Sequence, residues 1–163
     1  MEGKLQFDKL DDENFDDFVQ MITLLAAYEK QEPPDAQALA RLKRDALGKH
    51  RKFEGYLIRN DETTAGYFLF YLTYSSYLAL PVFHLEDLFL IKSLRRQGYG
   101  KKIIEFCVCL ADEKGCGRVE WTVYTWNKPA IAFYEKIGAT RLDKVYYRLD
   151  KAYMNALLSR GSF

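Results

Sequence analysis

The sequence predicts a mixed α/β (α+β) fold, one twisted, mostly antiparallel sheet of about six or seven strands flanked by about four or five helices. Three observations predict it. Residues 53–91 are dense in Tyr, Phe, Leu and Val and are broken only by short polar turns, the pattern of consecutive antiparallel strands. After Gly98 the apolar period changes from strand-like to helical. Strand-type and helix-type segments then alternate toward the end of the chain, which sets the helices around one sheet.

Residues 4–10 carry Leu5 and Phe7 between polar neighbours and read as a short strand. Asp11-Asp12-Glu13 opens a helix whose apolar positions, Phe15, Phe18, Met21, Ile22, Leu25 and Tyr28, recur at helical steps, and the acids between Asp11 and Asp17 suit its positive end. Pro33-Pro34-Asp35 stops the chain and restarts it as a more exposed helix over 36–47, ended by Gly48. The basic run Lys49-His50-Arg51-Lys52 reads as a solvated turn. Strands follow over 53–59 and 64–74, joined at Asn60-Asp61-Glu62, with a third over 82–91. The next helix buries Ile103, Ile104, Cys107, Leu110 and Ala111 and closes at Gly115. Residues 118–125 form a strand, 129–137 a short helix stopped by Gly138, 140–149 a strand, and 151–158 a last helix.

A chain of 163 residues, 48% hydrophobic and without repeats or low-complexity linkers, fits one domain spanning residues 1–163. Lys+Arg 24 against Asp+Glu 23 leaves a net charge of +1, which gives no electrostatic reason to expect nucleic acid or an anionic membrane, so a small ligand is the expected partner. Cys107, Cys109 and Cys116 are odd in number and wrongly spaced for disulfides or zinc; they read as reduced thiols packing as small hydrophobes, and no metal is expected. Without a basic and apolar leader or a long apolar run, the expectation is a soluble, cytoplasmic protein.

The most informative junction is the turn Arg95-Arg96-Gln97-Gly98-Tyr99-Gly100 between the third long strand and its helix. Alternate glycines let the backbone curl close to a ligand, and the first amides of a helix point outward with the positive end of its dipole behind them. Two arginines add charge that matches phosphate oxygens. The turn is neither a dinucleotide fingerprint nor a P-loop, and taken alone it is equally an ordinary strand-to-helix connection.

The pattern Arg95-x-x-Gly98-x-Gly100 resembles the cofactor-binding signature of the GNAT acetyltransferases, whose fold has the element order above. Three further stretches resemble the spermidine/spermine (diamine) and thialysine acetyltransferase branch: Leu25 to Glu29, His84 to Leu90, and Trp126 to Ala139. The resemblance implies acetyl-CoA as cosubstrate, a homodimer, and transfer of acetyl to a small basic amine by direct attack in a ternary complex. It places Leu88, Phe89 and Leu90, then Arg95, Arg96, Gln97, Gly98, Tyr99, Gly100 and Lys101, on the cofactor. It adds Asn127, Pro129, Ala130, Phe133, Tyr134 and Lys136 from the later helix.

The chemistry needs a base and an acid. An alkyl ammonium with a pKa near 10.4 is deprotonated only about one part in a thousand at neutral pH, and restoring its lone pair costs roughly 4 to 5 kcal/mol. Glu86 is the candidate base, acting through water by resemblance. In a regular strand Glu86 and Asp87 point to opposite faces, so at most one of them faces the reaction centre. The departing thiolate needs a donor of similar pKa, and Tyr134 matches the family's general acid. Glu29, Glu86 and Asp87 are the candidates to receive the amine's positive charge, and Trp126 fits either the wall of the amine channel or plain core. The segment Thr73 to Tyr77 carries serine where polyamine-specific enzymes tend to have aspartate, which favours a short diamine or a lysine-like amino acid. His50 and His84 receive no role. The alternatives are a peptide or protein N-acetyltransferase and a non-catalytic acyl-CoA-binding domain.

Overall fold

The computed structural model describes residues 4–161, which fall into two compact units, one ending at Val123 and one beginning at Tyr124. The first unit runs β1 (Leu5–Lys9), α1 (Phe15–Glu29), α2 (Ala36–Leu47), β2 (Glu54–Asn60), β3 (Thr63–Ser75), β4 (Leu80–Leu90), a single 3-10 turn (Lys92–Leu94), α3 (Tyr99–Glu113) and β5 (Val119–Trp121). Its five strands lie in sequence order; β1 to β4 pair antiparallel and β5 pairs parallel with β4. The sheet is thus mixed and mostly antiparallel as expected, with five strands among the described residues where about six or seven were predicted.

Local chemistry accounts for the ends of the helices. Asp11 Oδ1 accepts from the amides of Glu13 and Asn14 at 3.0 and 2.9 Å, forming the turn that leads into α1. Asp35 caps α2 by accepting from the Ala38 amide at 2.7 Å. One face of the sheet packs Leu57, Tyr67, Leu69 and Phe89 against Phe15, Phe18 and Met21 of α1 and Ala46 of α2. On the other face α3 sets Phe106 against Phe7 in a stack at 4.2 Å, and against Tyr56 and Phe68 at 5.6 and 6.1 Å. Cys107 is fully buried and burial pushes its thiol up to about 12, whereas Cys109 on the same helix is exposed, which corrects the expectation that all three cysteines pack as small hydrophobes.

The second unit holds α4 (Lys128–Lys136) and α5 (Lys151–Ser159). Asn127 caps α4, its side chain accepting from the Ala130 amide at 3.4 Å, and Asp150 caps α5 on the Tyr153 amide at 2.9 Å. The strand predicted over 140–149 does not form: residues 139–150 carry no regular structure. Val145, Tyr146 and Tyr147 favour strands, but that preference acts through a paired neighbour, and among the described residues of this unit the only regular elements are helices. The strand predicted over 118–125 shrinks to three residues because its ladder with β4 ends at Leu85↔Trp121.

Candidate active site

β4 has two irregularities that make a site. Its pairing with β3 steps from Leu69↔Asp87 to Phe70↔Leu85, so Glu86 is the extra residue of a β-bulge. Its parallel pairing with β5 covers only Phe83, His84 and Leu85, so the segment from Glu86 to Leu90 runs on past the ladder. Sequence alternation places Glu86 and Asp87 on opposite faces; the bulge cancels that alternation. Both carboxylates reach tyrosines of one face of β3, Glu86 Oε2 accepting from the Tyr71 hydroxyl and Asp87 Oδ2 from the Tyr67 hydroxyl, each at 3.0 Å. His84 Nε2 lies 3.4 Å from Glu86 Oε2.

The acids on this face affect one another. Asp87 is pushed up to about 6, by burial first and then by the charge of Glu86, while the Tyr67 hydrogen bond pulls the other way. Glu29, the half-buried last residue of α1, is also raised, by burial and by the charge of Asp87. Two carboxyl groups that hinder each other's ionisation gain from a cation placed beside them, the charge an alkyl ammonium brings. The end of α1 also meets the turn after β4, where the Arg95 guanidinium lies over the rings of Tyr28 and Phe89 at 4.8 and 5.6 Å.

The turn itself suits an anion. Gly98, at φ +83, is the residue before α3, no side chain caps that helix, and a Cβ at Gly98 would meet nothing within 4 Å. Lys101 and Lys102 are the first to donate back to the Gly98 carbonyl, which leaves the amides of the first turn directed outward. Arg96 is exposed and held at φ 64, a left-handed conformation that costs a residue with a side chain about 1 kcal/mol. Arg95 differs from Arg96: its Nε donates to the Leu90 carbonyl at 2.7 Å, so it braces the turn against β4. Gln97, exposed, folds back along the turn and donates to the Ser93 carbonyl at 2.7 Å. Tyr99 is buried, and Lys101 lies 3.7 Å from Glu105. Leu88, Phe89 and Leu90 lie on the part of β4 beyond the β5 ladder.

In the second unit Asn127 is committed to capping α4, Pro129 and Ala130 form its first turn, and Phe133 and Tyr134 sit with ring centroids 5.2 Å apart. The Tyr134 carbonyl accepts the Ala139 amide at 3.0 Å as the helix ends. Lys136 is the last residue of α4 and is exposed. Trp126 is half exposed and stacks on Tyr124 at 5.6 Å. The serines by which the chain departs from the polyamine pattern sit at the end of β3, where buried Ser75 accepts the Leu78 amide at 3.2 Å and shapes the turn. Tyr67 and Tyr71 are not legible in the sequence as partners of the acids, because both fall in an unbroken apolar run and only the pairing register brings them to Glu86 and Asp87.

Known proteins give this arrangement a family. A thialysine N-epsilon-acetyltransferase of Caenorhabditis elegans is 32% identical over 141 residues, covering 84% of this chain and 86% of its own. An L-ornithine N5-acetyltransferase of Arabidopsis thaliana is 45% identical over 80 residues, 49% of this chain, and the match spans 35% of that relative's length. Among solved structures, an integron cassette protein from the mobile metagenome of V. cholerae has a TM-score of 0.80 over 97% of this chain and 98% of that one; at 24% identity the likeness is one of fold. A family model described as the acetyltransferase (GNAT) family matches residues 14–139, from the residue that precedes α1 to the residue after Gly138. That match takes in most of the chain, running from the start of α1 into the second unit through α4, and the chain belongs to the GNAT acetyltransferase family.

Proposed function

We propose that this protein transfers the acetyl group of acetyl-CoA to the primary amine of a small lysine-like or ornithine-like amino acid, or a short diamine. The observation that carries the reading is the bulge at Glu86, which brings two carboxylates to one face of the sheet beside a third from α1. The relatives named for thialysine and L-ornithine support the side-chain amine of an amino acid as acceptor. The outward amides of α3, the exposed Arg96 and the unladdered end of β4 suit the diphosphate and the amide-rich arm of coenzyme A.

In this reading Asp87 and Glu29 draw the ammonium in, and Glu86 takes its proton through a water molecule. The freed amine nitrogen attacks the thioester carbon, the carbon–sulfur bond breaks, and Tyr134 protonates the departing thiolate. Acetyl-CoA supplies the activated acetyl group. A second assignment, with Asp87 as the proton acceptor, is favoured by its position near 6, closer to the working pH than an ordinary carboxylate. We also take residues 1–163 to act as one domain and as a homodimer on a free small molecule in the cytoplasm, without nucleic acid, membrane or metal; light scattering checks the dimer.

Thiol release from acetyl-CoA, measured over a panel of thialysine, ornithine, lysine, putrescine, spermidine, aminoglycosides and short peptides, tests the proposal. The expected result is turnover with the amino-acid amines and poor turnover with spermidine. Turnover confined to peptides identifies a peptide N-acetyltransferase instead, and coenzyme A binding with no acceptor at all identifies a non-catalytic domain.

A further inference from the structure

We infer that Tyr67 is a positioning residue for the amine, its hydroxyl holding Asp87 aimed into the site in the charged form that receives the ammonium; this rests on the amine-binding reading of Asp87 above. Tyr67 is fully buried on β3, its ring set edge-on to Phe18 at 5.2 Å and tilted against Phe89 at 6.4 Å. A buried phenol among apolar rings is costly unless its hydroxyl is bonded, and here it lies 3.0 Å from Asp87 Oδ2. Burial and the neighbouring carboxylates raise the phenol well above its ordinary range, so it remains protonated and serves Asp87 as a donor.

The bulge explains why Asp87 needs such a partner. Ordinary strand alternation aims a side chain through the pleat, but Asp87 directly follows the extra residue, where the ladder is interrupted. One bond to Oδ2 from a residue locked in the core fixes the carboxylate and leaves Oδ1 for the amine. The groups facing Asp87 from the packed elements are Glu29 from α1, Tyr67 from β3 and Glu86 beside it on β4, with the Arg95 guanidinium farther along over Phe89. Burial first and then the charge of Glu86 disfavour the ionisation of Asp87, Tyr67 favours it, and Asp87 in turn raises Glu29. Removing the hydroxyl therefore leaves Asp87 harder to ionise.

The test is the pH profile of kcat/KM for the amine in Tyr67→Phe, together with a carboxyl NMR titration of Asp87. Both the acid limb and the carboxyl midpoint are expected to rise by about one pH unit, the shift that one hydrogen bond to a charged group supports. At pH 6 that lowers kcat/KM about fivefold, through KM for the amine, while KM for acetyl-CoA stays as in the parent. Replacing Tyr67 by fluorotyrosine, a stronger donor of nearly the same size, is expected to move the limb downward, and it preserves the test if Tyr67→Phe folds poorly. In an Asp87→Asn background the Tyr67→Phe change is expected to add less than about a twofold effect. An acid limb and an amine KM unmoved in Tyr67→Phe overturn the inference. If Asp87→Asn still raises the amine KM, Tyr67 alone is rejected; if Asp87→Asn leaves that KM unchanged, the amine-binding reading of Asp87 falls as well.

Discussion

Asp87 shows at the scale of one residue how the proposed site sets stability against chemistry. Its carboxyl is raised from 3.8 to about 6 on folding, by burial first. A raised carboxyl binds its proton more tightly in the native state, so its contribution favours folding at low pH and is lost as pH rises through that interval. Asp87→Asn keeps the shape and the Tyr67 bond without the charge. The variant is expected to be more stable than the parent by on the order of 2 kcal/mol at pH 8 and no more stable at pH 3.5, read by urea unfolding. A gain that does not depend on pH would contradict the assignment. Glu86→Gln and Tyr134→Phe are each expected to lower kcat by about 100-fold or more while acetyl-CoA still binds, and near-parental turnover in both rejects their roles as base and acid.

At the scale of elements, the turn between β4 and α3 takes left-handed backbone at two positions, Arg96 and Gly98. Gly98→Ala meets no atom within 4 Å, so its effect is backbone strain alone, and a loss of about 1 kcal/mol in chemical denaturation is expected. Arg96 sits in a left-handed conformation that glycine adopts freely. Arg96→Gly is expected to stabilise the fold by up to about 1 kcal/mol and to weaken acetyl-CoA binding about tenfold, because the side chain that strains the backbone also brings the charge. The turn was legible in the sequence, since strand, alternate glycines and helix follow one another directly. The division of labour between its arginines was not, because Arg95 is drawn inward by a carbonyl and two rings that only the fold assembles. The bulge at Glu86 was hidden for a similar reason: it lies in the register between β3 and β4 and leaves no mark on the composition of either strand. Residues 140–149 misled in the opposite direction, having the residues of a strand but no ladder in their own unit.

For the whole molecule, the helical period of Phe15, Phe18 and Met21 and the apolar density of β3 were enough to give the layers of the first unit, because both faces of the sheet are covered. Phe68 lies at the centre of that arrangement, fully buried and stacked on Tyr56 at 5.1 Å, with Phe7, Phe70 and Phe106 around it. Phe68→Ala is expected to cost about 3 to 5 kcal/mol in denaturant unfolding, and a change under about 1 kcal/mol would contradict this packing. The layers hold the bulged, half-laddered β4 beside the amides of α3, where the proposed reaction brings an acyl carrier and an amine together. Calorimetric titration of the purified protein with acetyl-CoA tests that claim most directly. One site per chain, with affinity reduced about tenfold in Arg96→Gly, is the expected result; no heat of binding at millimolar acetyl-CoA would contradict it.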